Sequence, residues 1–171
     1  HAHIGSQILE TESFEISAQR LIALLAKYRD EYTAELPELD LGGGYGIAYL
    51  PGEVNLDPAS TMKALADVVS SQCAAHKLSI PRISIEPGRA IVGPTMFTLY
   101  EVGTVKDVIL ENGDNRRYVS VDGGMSDNLR PALYDAQYFA ALASRTSSAP
   151  KISSRIVGKH CETGDILIRE I

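Results

Sequence analysis

Glu86-Pro87-Gly88-Arg89 sets a carboxylate and a guanidinium three residues apart. The preceding run, Ile80 to Ile85, alternates like a strand, and Pro87 with Gly88 ends it: Pro has no N–H and Gly accepts a positive φ. Both charges therefore belong at the C-terminal mouth of a strand, where barrel enzymes do their chemistry. Taken alone, such a tetrapeptide more often marks an exposed ion pair. A second stretch, Gly42-Gly43-Gly44-Tyr45-Gly46, follows the short apolar run Leu39-Asp40-Leu41. Its backbone N–H groups could converge on an anion, because no Cβ blocks the approach. The spacing is not that of a dinucleotide fingerprint, and the Lys and Ser/Thr of a nucleotide P-loop are missing. A flexible turn is the commoner reading of such glycines.

His3, Gly5 and Ser6 form a third group. An imidazole there could stack on a flat ring or donate a hydrogen bond, and Ser6 could bind phosphate; a structural histidine is an equal reading. Cys161-Glu162 follows Gly158-Lys159-His160, a setting for a partly exposed acid or nucleophile, although an ordinary loop cysteine is commoner. His1, His76 and His160 do not combine with His3 and the two cysteines in a zinc spacing, so no metal site is expected. No Ser/His/Asp order supports a hydrolase triad.

These residues need a scaffold, and the chain carries the signals of one. His1 to Gln7 reads as a strand ending in a turn at Gly5-Ser6. A helix is expected over roughly 12–31, with Phe14, Ala18, Leu21, Ile22, Leu25 and Tyr28 on one face and Thr11 as N-cap. Residues 39–41 read as a strand. A second helix over 58–77 has Asp57 as N-cap, Pro58 in its first turn, and Met62, Leu65, Ala66, Val69 and Cys73 facing inward. The strand at 82–86 completes a βαβ pattern, the signature of a parallel sheet or barrel.

After Ile91 the grammar changes. Residues 95–110 alternate without a helical period, Asn112-Gly113 signals a hairpin, and 117–122 returns as a strand. Residues 144–150 read as a loop, 151–158 as a strand and 165–171 as another. The expected architecture is α/β plus β: residues 1–92 as the C-terminal portion of a (β/α)8 barrel, and residues 93–171 as part of an antiparallel β-sandwich or barrel domain.

The 171 residues carry a net charge of −6, which argues against nucleic acid or an anionic membrane as partner. No apolar run reaches the length that spans a bilayer. Two cysteines make no disulfide framework, so a reducing, cytoplasmic setting is the default. Neither end reads like a natural terminus, and a piece of a longer protein is expected.

In order along the chain, His3-Ile-Gly-Ser-Gln7, Leu41-Gly-Gly-Gly-Tyr-Gly46, Glu86-Pro-Gly-Arg89, Asp122-Gly-Gly-Met-Ser-Asp-Asn-Leu-Arg-Pro-Ala-Leu-Tyr134 and Gly158-Lys-His-Cys-Glu162 resemble the diaminopimelate decarboxylases. That family depends on pyridoxal phosphate and shares its fold with alanine racemase and ornithine decarboxylase. The resemblance implies that His3 stacks on the cofactor ring and Glu86 pairs with the pyridine nitrogen, while Ser6, Gly43 and Gly44 hold the phosphate. Arg89 joins this cofactor group and, with Arg130 and Tyr134, grips the distal carboxylate of meso-diaminopimelate. Glu162 takes the distal ammonium, and Cys161 is a candidate proton donor at the reacting carbon. The reaction implied is loss of CO₂ from meso-diaminopimelate to give L-lysine, in a homodimer where Cys161 and Glu162 enter the partner's site.

In the family, the lysine that holds the cofactor lies upstream of His3. None of the six lysines here matches its position, so the parent protein is expected to be the enzyme and this piece alone inactive. A related decarboxylase acting on arginine, ornithine or carboxynorspermidine, or a catalytically dead regulatory homologue, are the alternatives.

Overall fold

Apolar residues spaced three and four apart over residues 11–32 give one helix a buried stripe. The computed structural model, which describes residues 1–171, folds them as α1, Thr11–Tyr32. Phe14, Ala18, Ile22, Leu25 and Ala26 are its buried apolar positions. Helix α2, Pro58–His76, follows strand β1, Glu38–Gly43, and leads into β2, Arg82–Glu86. Because α2 carries the chain back across the sheet, β1 and β2 pair in parallel, with Leu39 beside Ile83 and Gly43 beside Glu86. The expected βαβ unit is thereby realised. Helices α1 and α2 pack on each other, and Leu65, Val69 and Cys73 of α2 join Leu39 and Leu41 in one core. Phe14 stacks on Tyr45 with ring centroids 4.5 Å apart.

The N-cap of α2 forms as expected: the Asp57 carboxylate accepts the Ser60 N–H at 2.8 Å. Three expectations in this region are corrected. Residues 1–7 make no strand, because Gly5 (φ 146°) and Gln7 (φ 60°) break the extended path. They run beside β1 as a loop, held by Ala2 N–H to Asp40 O and an isolated parallel bridge between Ile8 and Tyr45. Thr11 is not a cap but the first helical residue. Glu10 occupies the cap position without a side-chain bond, and the Thr11 hydroxyl lies 3.2 Å from that of Thr61. Ala66 faces outward, since Leu65 and Val69 already fill the contact with α1.

Residues 88–95 form a short helix α3, Gly88–Val92, followed by a 3₁₀ turn, Gly93–Thr95. Strand β3, Val102–Ile109, begins later than expected. It pairs antiparallel with β4, Asn115–Val121, through the anticipated Asn-Gly turn, where Gly113 adopts φ 87°. A short helix α4, Arg130–Tyr134, then precedes β5, Ser154–Val157, and β6, Ile166–Ile168.

The sheet order is β3-β4-β5-β6, but β5 runs parallel to β4. The expected antiparallel domain is thus corrected to a mixed sheet. The 32 residues between Val121 and Ser154 form a crossover rather than a hairpin, so the chain re-enters the sheet in its original direction. The chain divides into two compact units: residues 1–48 with 54–96, and residues 49–53 with 97–171. No helix is long and apolar enough to cross a membrane.

Candidate functional site

In the first unit, the parallel register sets the ends of β1 and β2 side by side, with Gly43 opposite Glu86. Parallel strands expose their C-terminal ends together, and the loops that follow converge there. A Cβ at Gly43 would stand 2.4 Å from the Glu86 carbonyl oxygen, and Gly44, at φ 100°, would place one 2.2 Å from the Gly5 carbonyl oxygen. The glycine run is therefore what lets residues 2–6, β1 and β2 approach each other.

Of the sequence-predicted residues, His3, Gly43 and Glu86 are brought together. The Gly43 N–H points to His3 Nδ1 at 3.4 Å, and Glu86 follows as the lateral partner of Gly43. Ser6 is exposed on the same loop. Arg89 is half-buried at the start of α3 and donates from Nη1 to Gln7 Oε1 at 3.3 Å.

Three residues that the motif reading did not single out also belong to this cluster. Gln7 donates to Ile47 O and accepts the Ile47 N–H, so it ties Arg89 to the loop after the glycines. His1 Nε2 lies 3.3 Å from Glu86 Oε2. Asp40 brings a carboxylate oxygen within 4.8 Å of both, while accepting the Gly42 N–H at 2.8 Å. No zinc spacing announced this convergence of His1, Asp40 and Glu86, because the sheet register assembles it. Burial, aided by the charge of Asp40, pushes the Tyr45 phenol above its ordinary range.

In the second unit, Arg130 opens α4 and Tyr134 closes it. One turn of helix brings the guanidinium over the Tyr134 ring, 5.5 Å from its centroid. Arg130 Nε also donates to Tyr138 Oη at 3.1 Å, and Tyr138 packs edge-on against Tyr49. Tyr138 had no motif to flag it; only the tight turn at Asp135 (φ 50°) folds it back onto Arg130. Burial first, then the carboxylates of Asp127 and Asp122, raises the Tyr100 hydroxyl above its usual range. Cys161 is a free, exposed thiol and Glu162 is exposed beside it, both on the loop between β5 and β6.

Residues 1–93 match the family described as pyridoxal-dependent decarboxylase, pyridoxal binding domain; residues 68–171 match pyridoxal-dependent decarboxylase, C-terminal sheet domain. The diaminopimelate decarboxylase of Mycobacterium tuberculosis (strain ATCC 25618 / H37Rv) is 52% identical over 174 residues, covering 99% of this chain and 39% of the relative. The crystal structure of diaminopimelate decarboxylase from M. jannaschi superposes with a TM-score of 0.86 at 25% identity, over 99% of this chain and 37% of that one. The Helicobacter pylori enzyme complexed with L-lysine gives 0.80 at 27% identity, over 99% and 38%. The chain spans about two fifths of the length of the curated relatives it matches. Family match and structural likeness both point to a pyridoxal-binding part followed by a sheet domain. The resemblance carried by the five motifs is borne out: the chain belongs to the pyridoxal-dependent decarboxylases.

Proposed function

We propose that this chain is part of a diaminopimelate decarboxylase that converts meso-2,6-diaminopimelate to L-lysine and CO₂. Residues 1–92 would be the C-terminal portion of its pyridoxal-binding (β/α)8 barrel, and residues 93–171 part of its sheet domain. One observation carries the reading: Glu86 ends β2 as the lateral partner of Gly43 in the glycine turn, and the Gly43 N–H points to His3 Nδ1. The donor set fits pyridoxal phosphate, with a carboxylate for the pyridine nitrogen, an imidazole for the ring face, and a glycine turn with Ser6 for the phosphate. When bound, the cofactor supplies an electron sink for the pair released as the carboxylate leaves.

The chain's own residues do the rest. Glu86 keeps the pyridine nitrogen protonated. Arg89, Arg130 and Tyr134 bind the distal carboxylate, a task that suits the planar fork of arginine. Glu162 takes the distal ammonium, and the Cys161 thiol returns a proton to the reacting carbon. All six lysines are solvent-exposed, whereas a cofactor-bearing lysine works from a desolvated site. We therefore assign that lysine to the parent outside these residues. The exposed loop bearing Cys161 and Glu162 fits a homodimer in which each subunit completes the other's site, in a cytoplasmic enzyme.

The test is the full-length parent loaded with pyridoxal phosphate and given meso-diaminopimelate, with CO₂ and lysine measured. Release of both is expected. Arg130→Ala should raise KM about 10- to 100-fold, the worth of one charge-assisted pair, and leave cofactor affinity unchanged. Turnover of arginine or ornithine instead would move the protein to a sister enzyme. No turnover of any basic amino acid would overturn the catalytic reading.

A further inference from the structure

Asp165 is 3% exposed, the most deeply buried charged residue of the second unit. None of the structure's ion pairs includes it. Burying a carboxylate without a cation is costly unless hydrogen bonds replace the lost water. Here backbone N–H groups do so: Met125 donates to Oδ1 and His160 to Oδ2, each at 2.6 Å. These are short, charge-assisted bonds, and each oxygen holds a different loop.

The two donors stand on segments that are 35 residues apart in sequence but joined in space. One is the 122–134 stretch that leads into Arg130 and Tyr134. The other is the 158–162 stretch that carries Cys161 and Glu162. Lys159 N–H to Gly123 O at 2.9 Å and Ser126 Oγ to His160 Nε2 at 2.8 Å reinforce the junction. The backbone of Asp165 closes the second loop on itself, accepting from Gly158 and donating to Glu162. Room for the carboxylate comes from two glycines. A Cβ at Gly158 would lie 2.3 Å from Oδ2, and one at Gly124 would lie 2.7 Å from Oδ1.

We propose that Asp165 is a positioning residue whose carboxylate clamps the 123–126 and 158–162 loops into one body, so that Arg130 and Glu162 meet the substrate's distal end in fixed register. The substrate part rests on the decarboxylase reading above. An amide cannot do the same work: in Asp165→Asn one oxygen still accepts, but the NH₂ faces an N–H, so one loop is released.

The experiment uses the full-length holoenzyme. In the wild type, hydrogen exchange followed by mass spectrometry should find residues 123–128 and 158–162 opening together as one slow unit. In Asp165→Asn both should lose protection. KM for meso-diaminopimelate should rise about 10- to 100-fold while pyridoxal phosphate affinity and its bound absorbance stay unchanged. Gly158→Ala, which pushes the carboxylate aside, should reproduce the KM change. A purely structural role would instead lower melting temperature and leave KM of the folded enzyme unaltered, which overturns the proposal. Independent exchange of the two segments in the wild type overturns it too, even where Asp165→Asn fails to fold. Joint exchange in a parent that turns over no substrate supports the clamp and rejects the decarboxylase reading, so the two failures are distinguishable.

Discussion

Arg130 illustrates how little of a side chain's function is its own. Its guanidinium is shaped for a carboxylate, but Tyr138 fixes one edge through Nε and the Tyr134 ring lies under its face. Tyr138→Phe removes the acceptor and keeps the packing, so KM for meso-diaminopimelate in the parent should rise by a few-fold, less than in Arg130→Ala. Steady-state kinetics on both variants checks the order. Tyr45 makes the opposite case. Its hydroxyl is buried and has no hydrogen-bond partner, an arrangement that costs free energy.

Tyr45→Phe should therefore stabilise the protein by about 1 kcal/mol in denaturant unfolding. It should also flatten the alkaline limb of the stability curve. The folded phenol keeps its proton above its ordinary 10.0, so stability falls as pH rises past that value, and the variant loses this contribution. The Cys73 thiol, likewise raised by burial above its ordinary 9.0, would still contribute a fall.

At the scale of elements, each helix start rests on different chemistry. Helix α2 begins with a true cap, and the hydrogen bonds from Ser60 hold the Asp57 carboxyl below its ordinary 3.8. A depressed carboxylate stabilises above its unfolded value, and that stability is lost as pH falls through the folded one. Asp57→Ala should thus lower the melting temperature at pH 7, with the gap to wild type closing in acid below 3.8. Calorimetry across that range decides it. Helix α1 has no such side-chain cap; Thr11 serves instead as a link to Thr61 of α2. The glycine turn is an element of the same kind. Gly43→Ala would drive a methyl group into the Glu86 carbonyl, so β1 and β2 should separate at their C-terminal ends. Loss of pyridoxal phosphate binding in the parent, read by absorbance, is the expected outcome.

For the whole molecule, the two-stranded parallel sheet is the telling feature. Parallel sheets are stable when covered on both faces and continued at both edges, and β1 and β2 pair only with each other. Ile91, Val92, Met96, Phe97 and Leu99 are all more than half exposed, which places apolar surface where a larger fold would cover it. Residues 1–171 expressed alone should self-associate and show no decarboxylation with added pyridoxal phosphate. Light scattering and CO₂ release test this, and turnover by the isolated piece would refute the assignment of the cofactor lysine to the rest of the parent.

Local signals in the sequence sufficed for α1, α2, β2 and the Asn112-Gly113 hairpin, because periodicity, a cap and a positive-φ turn are written in neighbouring residues. They also singled out Glu86, His3 and the glycine turn as candidates for chemistry, since a carboxylate, an imidazole and bare backbone amides are legible as types. Pairing was not legible. Gly43 beside Glu86, and β5 parallel to β4, follow from register and from a crossover whose direction no local pattern encodes. The same holds for Gln7 under Arg89, Tyr138 under Arg130, and Asp165 between two loops. Each is an ordinary polar residue in the sequence; its role arises from side chains and backbone N–H groups that only the folded chain brings within reach.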